Sequence, residues 1–222
     1  MRKGHCLSLF GIMTSMFSDL GFGDIAIFIA SLLFSLTLHE AMHAYAAHAL
    51  GDTTARDEGR LSLNPLQHID LLTTIALPVV MILLGLPPLL VAKPVPFDPE
   101  RVRYGEYGAA LVALAGPFTN LALALIASIL LRFFGFGEQI GHILVIFMQV
   151  NITFFVFNMI PFPPLDGSRL LYAVAPEPLQ RLMYQIESAG FAITIFVFLL
   201  LSPFILPLVG NISDAIFSFL LR

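Results

Sequence analysis

Two histidines and a glutamate lie within one helical turn of an apolar segment, at a spacing that could hold and use a metal ion. The stretch from Leu36 to Tyr45 reads LTLHEAMHAY. On a helix, His39 and His43 project from one face and can bind one ion, and Glu40 lies beside them within reach of a metal-bound water. The pattern is typical of zinc-dependent hydrolysis. It needs a further ligand, because catalytic zinc usually has three protein ligands and one open position.

A carboxylate that could complete this site follows a run of prolines. The segment from Asn158 to Gly167 reads NMIPFPPLDG. Its three prolines end a helix and fix an extended turn, so Asp166 is presented on a stiff backbone at the helix exit. Aspartate is a suitable zinc ligand beside two histidines. Asp166 is therefore the candidate third ligand, and Zn²⁺ is the expected cofactor.

The composition predicts that these groups lie in a membrane. Of the 222 residues, 58% are hydrophobic and only 12% are charged, whereas about a quarter are charged in soluble domains. The net charge of -4 is small and the basic residues form no cluster, so we expect a lipid bilayer and no nucleic acid as partner. The single cysteine, Cys6, excludes an internal disulfide.

The predicted fold class is an all-α polytopic membrane protein with about five to six transmembrane helices. We expect one integral-membrane domain over residues 1–222. It would consist of an interfacial segment at 1–23, a catalytic core at 24–175 and C-terminal helices at 176–222. The apolar runs that predict spanning helices lie at 24–50, 106–134, 141–160, 178–201 and 203–221.

Residues 70–97 are expected to enter the membrane and return on the same side. If this segment crossed completely, Asp166 would emerge on the side opposite to the end of the His43 helix, and one ion could not contact both side chains. We therefore predict a re-entrant hairpin that turns at Pro87-Pro88.

An extended stretch, 91–97, is expected near the active site, because Pro94 and Pro96 exclude a regular helix there. An extended substrate needs backbone partners inside a membrane. Strand addition along this stretch would supply them, with Val91 and Val95 as candidate substrate-binding positions.

This folding would divide the cations unequally between the two membrane faces. One face would carry Arg2, Lys3 and Arg132. The other would carry Arg56, Arg60, Lys93, Arg101, Arg103, Arg169, Arg181 and Arg222. The positive-inside rule makes the second face cytoplasmic. We expect a prokaryotic cell membrane, with the active site nearer its cytoplasmic face.

Together these motifs resemble the site-2 protease family of intramembrane zinc metalloproteases, peptidase family M50. HExxH lies inside a hydrophobic helix, and NxxPxPPLDG follows later in the chain. The stretches NPLQH at 64–68, KPVP at 93–96 and AGPFTN at 115–120 also resemble the family. The resemblance covers residues 25–175 and is to a compact form, without an inserted PDZ or CBS domain.

The resemblance implies a role for each matching residue. His39, His43 and Asp166 would bind zinc, and Glu40 would be the general base. Asn158 would hydrogen-bond the substrate backbone or the developing oxyanion. The implied substrates are single-span membrane proteins, cut in regulated intramembrane proteolysis. The resemblance does not identify an individual substrate, and a homo-oligomer is left open.

Several polar groups have a second interpretation. Asn120 is a candidate substrate-binding residue, but an interhelical hydrogen bond explains it better than a catalytic role, as close packing does for Gly116. Asn158 could also bond a neighbouring helix alone. His48 and His68 are expected to be solvated or capping residues.

Three other functional classes fit the sequence less well than a protease. A membrane metal-ion transporter would be expected to contain inverted repeats, and none is found in the sequence. A catalytically silent substrate-binding relative would lack the base or a ligand. An intramembrane serine protease would need a Gly-x-Ser nucleophile, but Gly167-Ser168 directly follows the candidate ligand.

Overall fold

The chain folds into helices arranged around the segment that carries the two histidines. The computed structural model describes residues 21–68, 70 and 95–222. Within these residues there are seven α-helices and one 3-10 turn, Pro65–Gln67, and there is no strand. The helices are α1 (Phe22–Ala49), α2 (Thr54–Asp57), α3 (Glu106–Phe133), α4 (Glu138–Asn158), α5 (Gly167–Val174), α6 (Glu177–Ser188) and α7 (Phe191–Leu220).

Four of these helices are long and apolar enough to cross a membrane. They contain the candidate spans Gly23–Ala49, Glu106–Phe133, Glu138–Asn158 and Phe196–Leu220. In a bilayer such helices satisfy their backbone polar groups internally, so the outward-facing side chains can be apolar. The prediction of an all-α polytopic membrane protein is therefore confirmed. The predicted hairpin at 70–97 and the segment 1–23 lie largely outside the described residues.

The predicted division of the C-terminal region into helices at 178–201 and 203–221 is wrong. The chain breaks at Gly190, whose φ of 100° favours glycine. The short helix α6 precedes this break, and α7 continues through Pro203 and Pro207 as one helix. Membrane helices tolerate internal proline when their neighbours compensate for the missing hydrogen bonds. The described residues therefore contain four candidate spans, fewer than the five to six predicted for the whole chain.

Contacts between helix ends give the direction of each span. At one end of the bundle, His142 near the start of α4 lies 2.7 Å from the Asp24 carboxylate at the start of α1. The Ser128 hydroxyl near the end of α3 donates to the Leu220 carbonyl at 2.7 Å. Arg222 therefore lies at this end, together with Arg132. Its predicted position on the opposite face was wrong, because α7 crosses once where two crossings were expected.

The apolar core lies between α3, α4 and α7. Small residues on α3 let α4 approach closely, and larger side chains of α4 and α7 fill the space. The buried members of this cluster are Ala124, Ala127, Met148, Ile152, Val156, Val209 and Leu220. Burying a side chain such as Met148 stabilises by about 1.5–3 kcal/mol in water. In a bilayer, packing of this kind between helices takes over much of that role.

Asp52 ties the end of α1 to the segment that precedes α3. It is fully buried. Its carboxylate accepts hydrogen bonds from the Thr54 amide and hydroxyl, at 2.9 and 2.6 Å, and from the Asp98 amide at 2.8 Å. The Arg103 amide donates to the Leu50 carbonyl at 2.9 Å. These bonds fix the end of the helix that carries the histidines.

We expect Asp52→Asn to lower the stability of the fold at neutral pH by roughly 1–2 kcal/mol, because hydrogen bonds to a charged acceptor are lost. Burial acts to raise the pKa of Asp52, but the Thr54 and Asp98 hydrogen bonds and the Arg101 charge hold it below its usual value. A lowered pKa stabilises above the unfolded value of about 3.9, and that stability is lost as pH falls through the folded pKa.

Thermal unfolding in detergent at several pH values checks this prediction. The wild-type advantage over Asp52→Asn should be largest at neutral pH and should shrink in acid. The matched control is Asp57→Asn, because Asp57 is exposed and bonds only the nearby Thr53 hydroxyl among the interactions described. An equal loss in both variants, or a pH-independent difference, would contradict the role given to Asp52.

Candidate metal centre

Three side chains from two parts of the chain meet between the C-terminal half of α1 and the turn that follows α4. The Nε2 atoms of His39 and His43 are 3.0 Å apart. One carboxylate oxygen of Asp166 lies 3.0 Å from the first and 3.4 Å from the second. Within the described residues this is the one group of three metal-binding side chains. Ligands about 2.0–2.1 Å from a tetrahedral zinc ion lie about 3.3–3.4 Å apart, so the triangle is close to the right size.

The hydrogen bonds of the histidines show that this triangle fits a cation. The Val112 carbonyl can only accept, so the Nδ1 of His43, 2.8 Å away, carries the proton. The Nδ1 of His39 lies 2.6 Å from the Asn120 side-chain oxygen. A ring protonated on Nδ1 alone presents its Nε2 lone pair to the other ring and to the carboxylate. A cation between the three side chains would bind all of them.

Helices α1 and α3 position both histidines because they run antiparallel with matching residues in contact. Residues four apart on a helix lie on one face. Towards its C-terminal end, α1 presents His39 and then His43, and α3 presents Val112 and Asn120 in the reverse order. Both rings are buried, with 5% and 9% of their surfaces exposed. Helix α3 therefore orients both rings through their Nδ1 atoms, which leaves the Nε2 atoms for the metal.

Gly116 makes the close approach of α3 possible. It lies between Val112 and Asn120 on the same face. A Cβ atom at this position would lie only 2.7 Å from the His39 Nε2, and it would also overlap the His43 ring. Any side chain here would occupy the space in front of the two nitrogens. Gly116 therefore allows close packing, as the sequence suggested, and it does so at the metal centre.

Asp166 reaches the histidines from the exit of α4. The helix ends at Asn158, and the prolines carry the chain through a turn to α5, whose first residue is Gly167. A Cβ atom on Gly167 would lie 2.5 Å from the Met159 carbonyl, so glycine lets α5 pack directly on the end of α4. The side chain of Asp166 is 22% exposed. The Asp166 side chain is therefore partly accessible from the surface.

Glu40 is adjacent to the ligand His39 in the chain, and Asn158 is the last residue of the helix that precedes Asp166. Glu40 is next to His39 on α1 and is buried, with 9% of its surface exposed. Asn158 is half-buried in the last turn of α4, and its amide donates to the Phe154 carbonyl of its own helix at 3.1 Å. The amide nitrogen has a second hydrogen. Their catalytic roles remain predictions.

Asn120 does not lie at a surface that substrate could reach. It is fully buried, its oxygen accepts from His39, and its amide donates to Asn151 at 2.9 Å. The alternative interpretation, an interhelical hydrogen bond, describes it better than substrate binding. Val95 is also buried and packs against Ala44.

Two other predictions from the sequence concern the 91–97 stretch and the remaining histidines. Val91 lies outside the described residues, so strand addition remains a prediction. His48 lies in the last turn of α1. His68 is fully buried and bonds the Ser62 carbonyl at 2.8 Å. It is the C-cap residue of the 3-10 turn Pro65–Gln67, so of the two predicted positions the capping one is confirmed and the solvated one is wrong.

The sequence analysis missed Asn151 and the Val112 carbonyl. Asn151 is fully buried on α4, between Phe147 and Asn120. It lies seven residues before Asn158 and therefore on the same helix face. An amide at this spacing inside an apolar span was a detectable signal, because unpaired polar groups are costly in membranes. A backbone carbonyl gives no such signal.

Comparison with known proteins agrees with this geometry. A family model described as peptidase family M50 matches residues 135–202. The candidate zinc metalloprotease YwhC of Bacillus subtilis is 34% identical over 179 residues, which cover 77% of this chain and 78% of that protein. The chain belongs to peptidase family M50. The resemblance to site-2 proteases is thereby confirmed.

Two further relatives extend the comparison. The candidate zinc metalloprotease Rip2 of Mycolicibacterium smegmatis is 34% identical over 188 residues, covering 82% of this chain and 69% of that protein. MJ0611 of Methanocaldococcus jannaschii, also a candidate zinc metalloprotease, is 42% identical over 60 residues, 27% of this chain and 31% of that protein. No solved structure matches the chain. The zinc metalloprotease names of these relatives and the triad of His39, His43 and Asp166 together point to zinc.

Proposed function

We propose that this M50 chain is an intramembrane zinc endopeptidase that cleaves within or near the transmembrane segments of single-span membrane proteins. The observation that carries the proposal is the buried triangle of His39, His43 and Asp166 at the ends of apolar helices. Ionisable groups in such helices are costly and usually functional. Two histidines and one carboxylate leave a fourth zinc position open, as in catalytic sites.

The chemistry follows from the residues around this triangle. Zinc, when bound, would supply a Lewis acid for the peptide carbonyl and lower the pKa of a water to about 7. Glu40 accepts the proton of the attacking water and delivers it to the leaving amine. Asn158 donates its remaining amide hydrogen to the substrate backbone or to the developing oxyanion.

The substrate must reach this site in an extended form. A helical peptide hides its carbonyls in its own hydrogen bonds, and the buried His39 and His43 cannot approach them. The stretch at 91–97, if extended as its prolines predict, would offer backbone partners for the unwound segment. Single-span helices can meet these needs because they move freely in the bilayer and can unwind at one end.

Proteolysis in nanodiscs would test the proposal. The purified zinc-loaded chain is incubated with a panel of single-span proteins, and mass spectrometry locates each cut relative to the span. We expect cuts within or near the spans, all lost on zinc removal. The same segments as soluble peptides are the control. No cleavage of any span, together with zinc flux into liposomes, would overturn the proposal in favour of a transporter.

The active site is proposed to lie near the cytoplasmic face of a prokaryotic cell membrane. Among the described arginines, Arg132 and Arg222 lie at one end of the bundle. The end with the metal centre has Arg56, Arg60, Arg101, Arg103, Arg169 and Arg181. This asymmetry supports a cytoplasmic orientation by the positive-inside rule.

Cysteine labelling checks the orientation. In a Cys6→Ser background, Arg222→Cys should react with a membrane-impermeant maleimide added to intact cells. Arg181→Cys, whose parent side chain is 77% exposed, should react only after permeabilisation. The reverse pattern would place the active site near the outer face.

A further inference from the structure

Behind the His39 ring, two buried amides form a hydrogen-bonded row that crosses three helices. The row begins at the Phe147 carbonyl on α4 and passes through Asn151 of the same helix. It then crosses to Asn120 on α3 and ends at His39 on α1. Its distances are 2.8 Å, 2.9 Å and 2.6 Å in that order. Both asparagines are fully buried.

The direction of every bond in this row is set at the Phe147 end. A backbone carbonyl can only accept, so the Asn151 nitrogen must face it and the Asn151 oxygen must face Asn120. The Asn120 nitrogen therefore donates to that oxygen, and it also lies 3.4 Å from the Ser35 carbonyl, a second pure acceptor. Only the Asn120 oxygen is left for His39.

We propose that Asn151 and Asn120 are positioning residues that hold His39 as the tautomer with its proton on Nδ1. The Nε2 lone pair then always faces His43 and Asp166. The proposal rests on the metal centre of the proposed function and extends it to Asn151, which is linked to His39 through Asn120. His43 needs no such row, because the Val112 carbonyl accepts its Nδ1 proton directly.

The row has a physical advantage over a single amide. An isolated asparagine can rotate its amide by half a turn and offer nitrogen or oxygen to a histidine with little difference in shape. Rotation of Asn120 would place its nitrogen against the His39 Nδ1 and its oxygen against Asn151. With Asn151 fixed by Phe147, that rotation sets two oxygens against each other in a buried, apolar region, where unpaired groups are costly.

Zinc affinity is the direct test, because it needs no substrate. We expect Asn120→Leu and Asn151→Leu to weaken zinc binding about 10–100-fold in competition with a chromophoric chelator, the usual effect of losing a ligand's hydrogen-bond partner. Asn120→Asp should bind zinc more tightly than Asn120→Leu, since a carboxylate also accepts the Nδ1 proton, but less tightly than the wild type, since its second oxygen faces the Asn151 oxygen. The double leucine variant should be little worse than either single one, because both act through one row.

Ser128→Ala is the matched control on α3. It removes another buried hydrogen bond of the same helix, to the Leu220 carbonyl at 2.7 Å, at the end of the bundle away from the metal. It should leave zinc affinity unchanged. Thermal unfolding of the zinc-free variants identifies any general loss of fold.

Two results would overturn the proposed positioning role of Asn120 and Asn151. Unchanged zinc affinity in both leucine variants would show that His39 needs neither amide. Equal loss in Asn120→Asp and Asn120→Leu would show that packing, and not the accepted proton, is what matters. A wild-type chain that binds no zinc would instead remove the metal centre, and with it both proposals, so the two failures are distinguishable.

Discussion

Glu40→Gln is expected to abolish peptide hydrolysis and to leave zinc bound. Glutamine has nearly the shape of glutamate but cannot accept the proton of the attacking water. General-base catalysis contributes about 10²–10⁴-fold to rate, and we expect at least a loss of this size. The ligands His39, His43 and Asp166 are untouched. Zinc content by elemental analysis should therefore equal that of the wild type.

Cells that produce wild type or Glu40→Gln provide the measurement. Fragments of single-span membrane proteins should appear only with the wild type, and the intact proteins that accumulate with the variant are candidate substrates. Glu58→Gln is the control, because Glu58 is exposed in the loop after α2. Matching fragment profiles with zinc still bound in both proteins would show that hydrolysis is not the main task of this site.

Gly116→Ala is expected to have the second largest effect, although it adds only one methyl group. The new Cβ would lie 2.7 Å from the His39 Nε2 and would overlap the His43 ring. The rings cannot simply turn aside, since Asn120 and Val112 hold their Nδ1 atoms. We expect zinc affinity to fall at least about a hundredfold, beyond the range for loss of a hydrogen-bond partner.

Gly141→Ala is a matched change on a neighbouring helix. Gly141 lies within α4, and a Cβ atom there meets nothing within 4 Å. Alanine should be tolerated or slightly stabilising, since it favours helix over glycine. Chelator competition on the two variants separates crowding at the metal from a general effect of alanine. Equal zinc affinity in both variants would mean that α3 can withdraw from the ligands without cost.

The parts of the site that are local in sequence could be predicted from it. His39 and His43 share a face because a helix has a fixed period, and the prolines before Asp166 indicate a rigid helix exit. Assigning Asp166 as the third ligand also required the assumption that one ion contacts all three side chains. The structure brings these three side chains together, and the predicted hairpin at 70–97 lies largely outside the described residues.

The parts that depend on contacts between distant helices could not be predicted. Nothing in the sequence pairs Asn151 with Asn120, since either amide could have faced another helix or water. The prolines of α7 read locally as breaks, but in a bilayer the helix around them persists because neighbouring groups compensate. Arg222 was misplaced for the same reason. Tertiary context outweighed the local rule in each case.

The separation of the ligands along the chain also governs when activity can first arise. His39 and His43 leave the ribosome early, whereas Asp166 follows after two further spans, several seconds later at about 5–20 residues per second. Until α4 has been inserted and the turn after it has formed, a nascent chain holds two of the three candidate ligands. The complete metal centre can therefore form only after Asp166 has been synthesised.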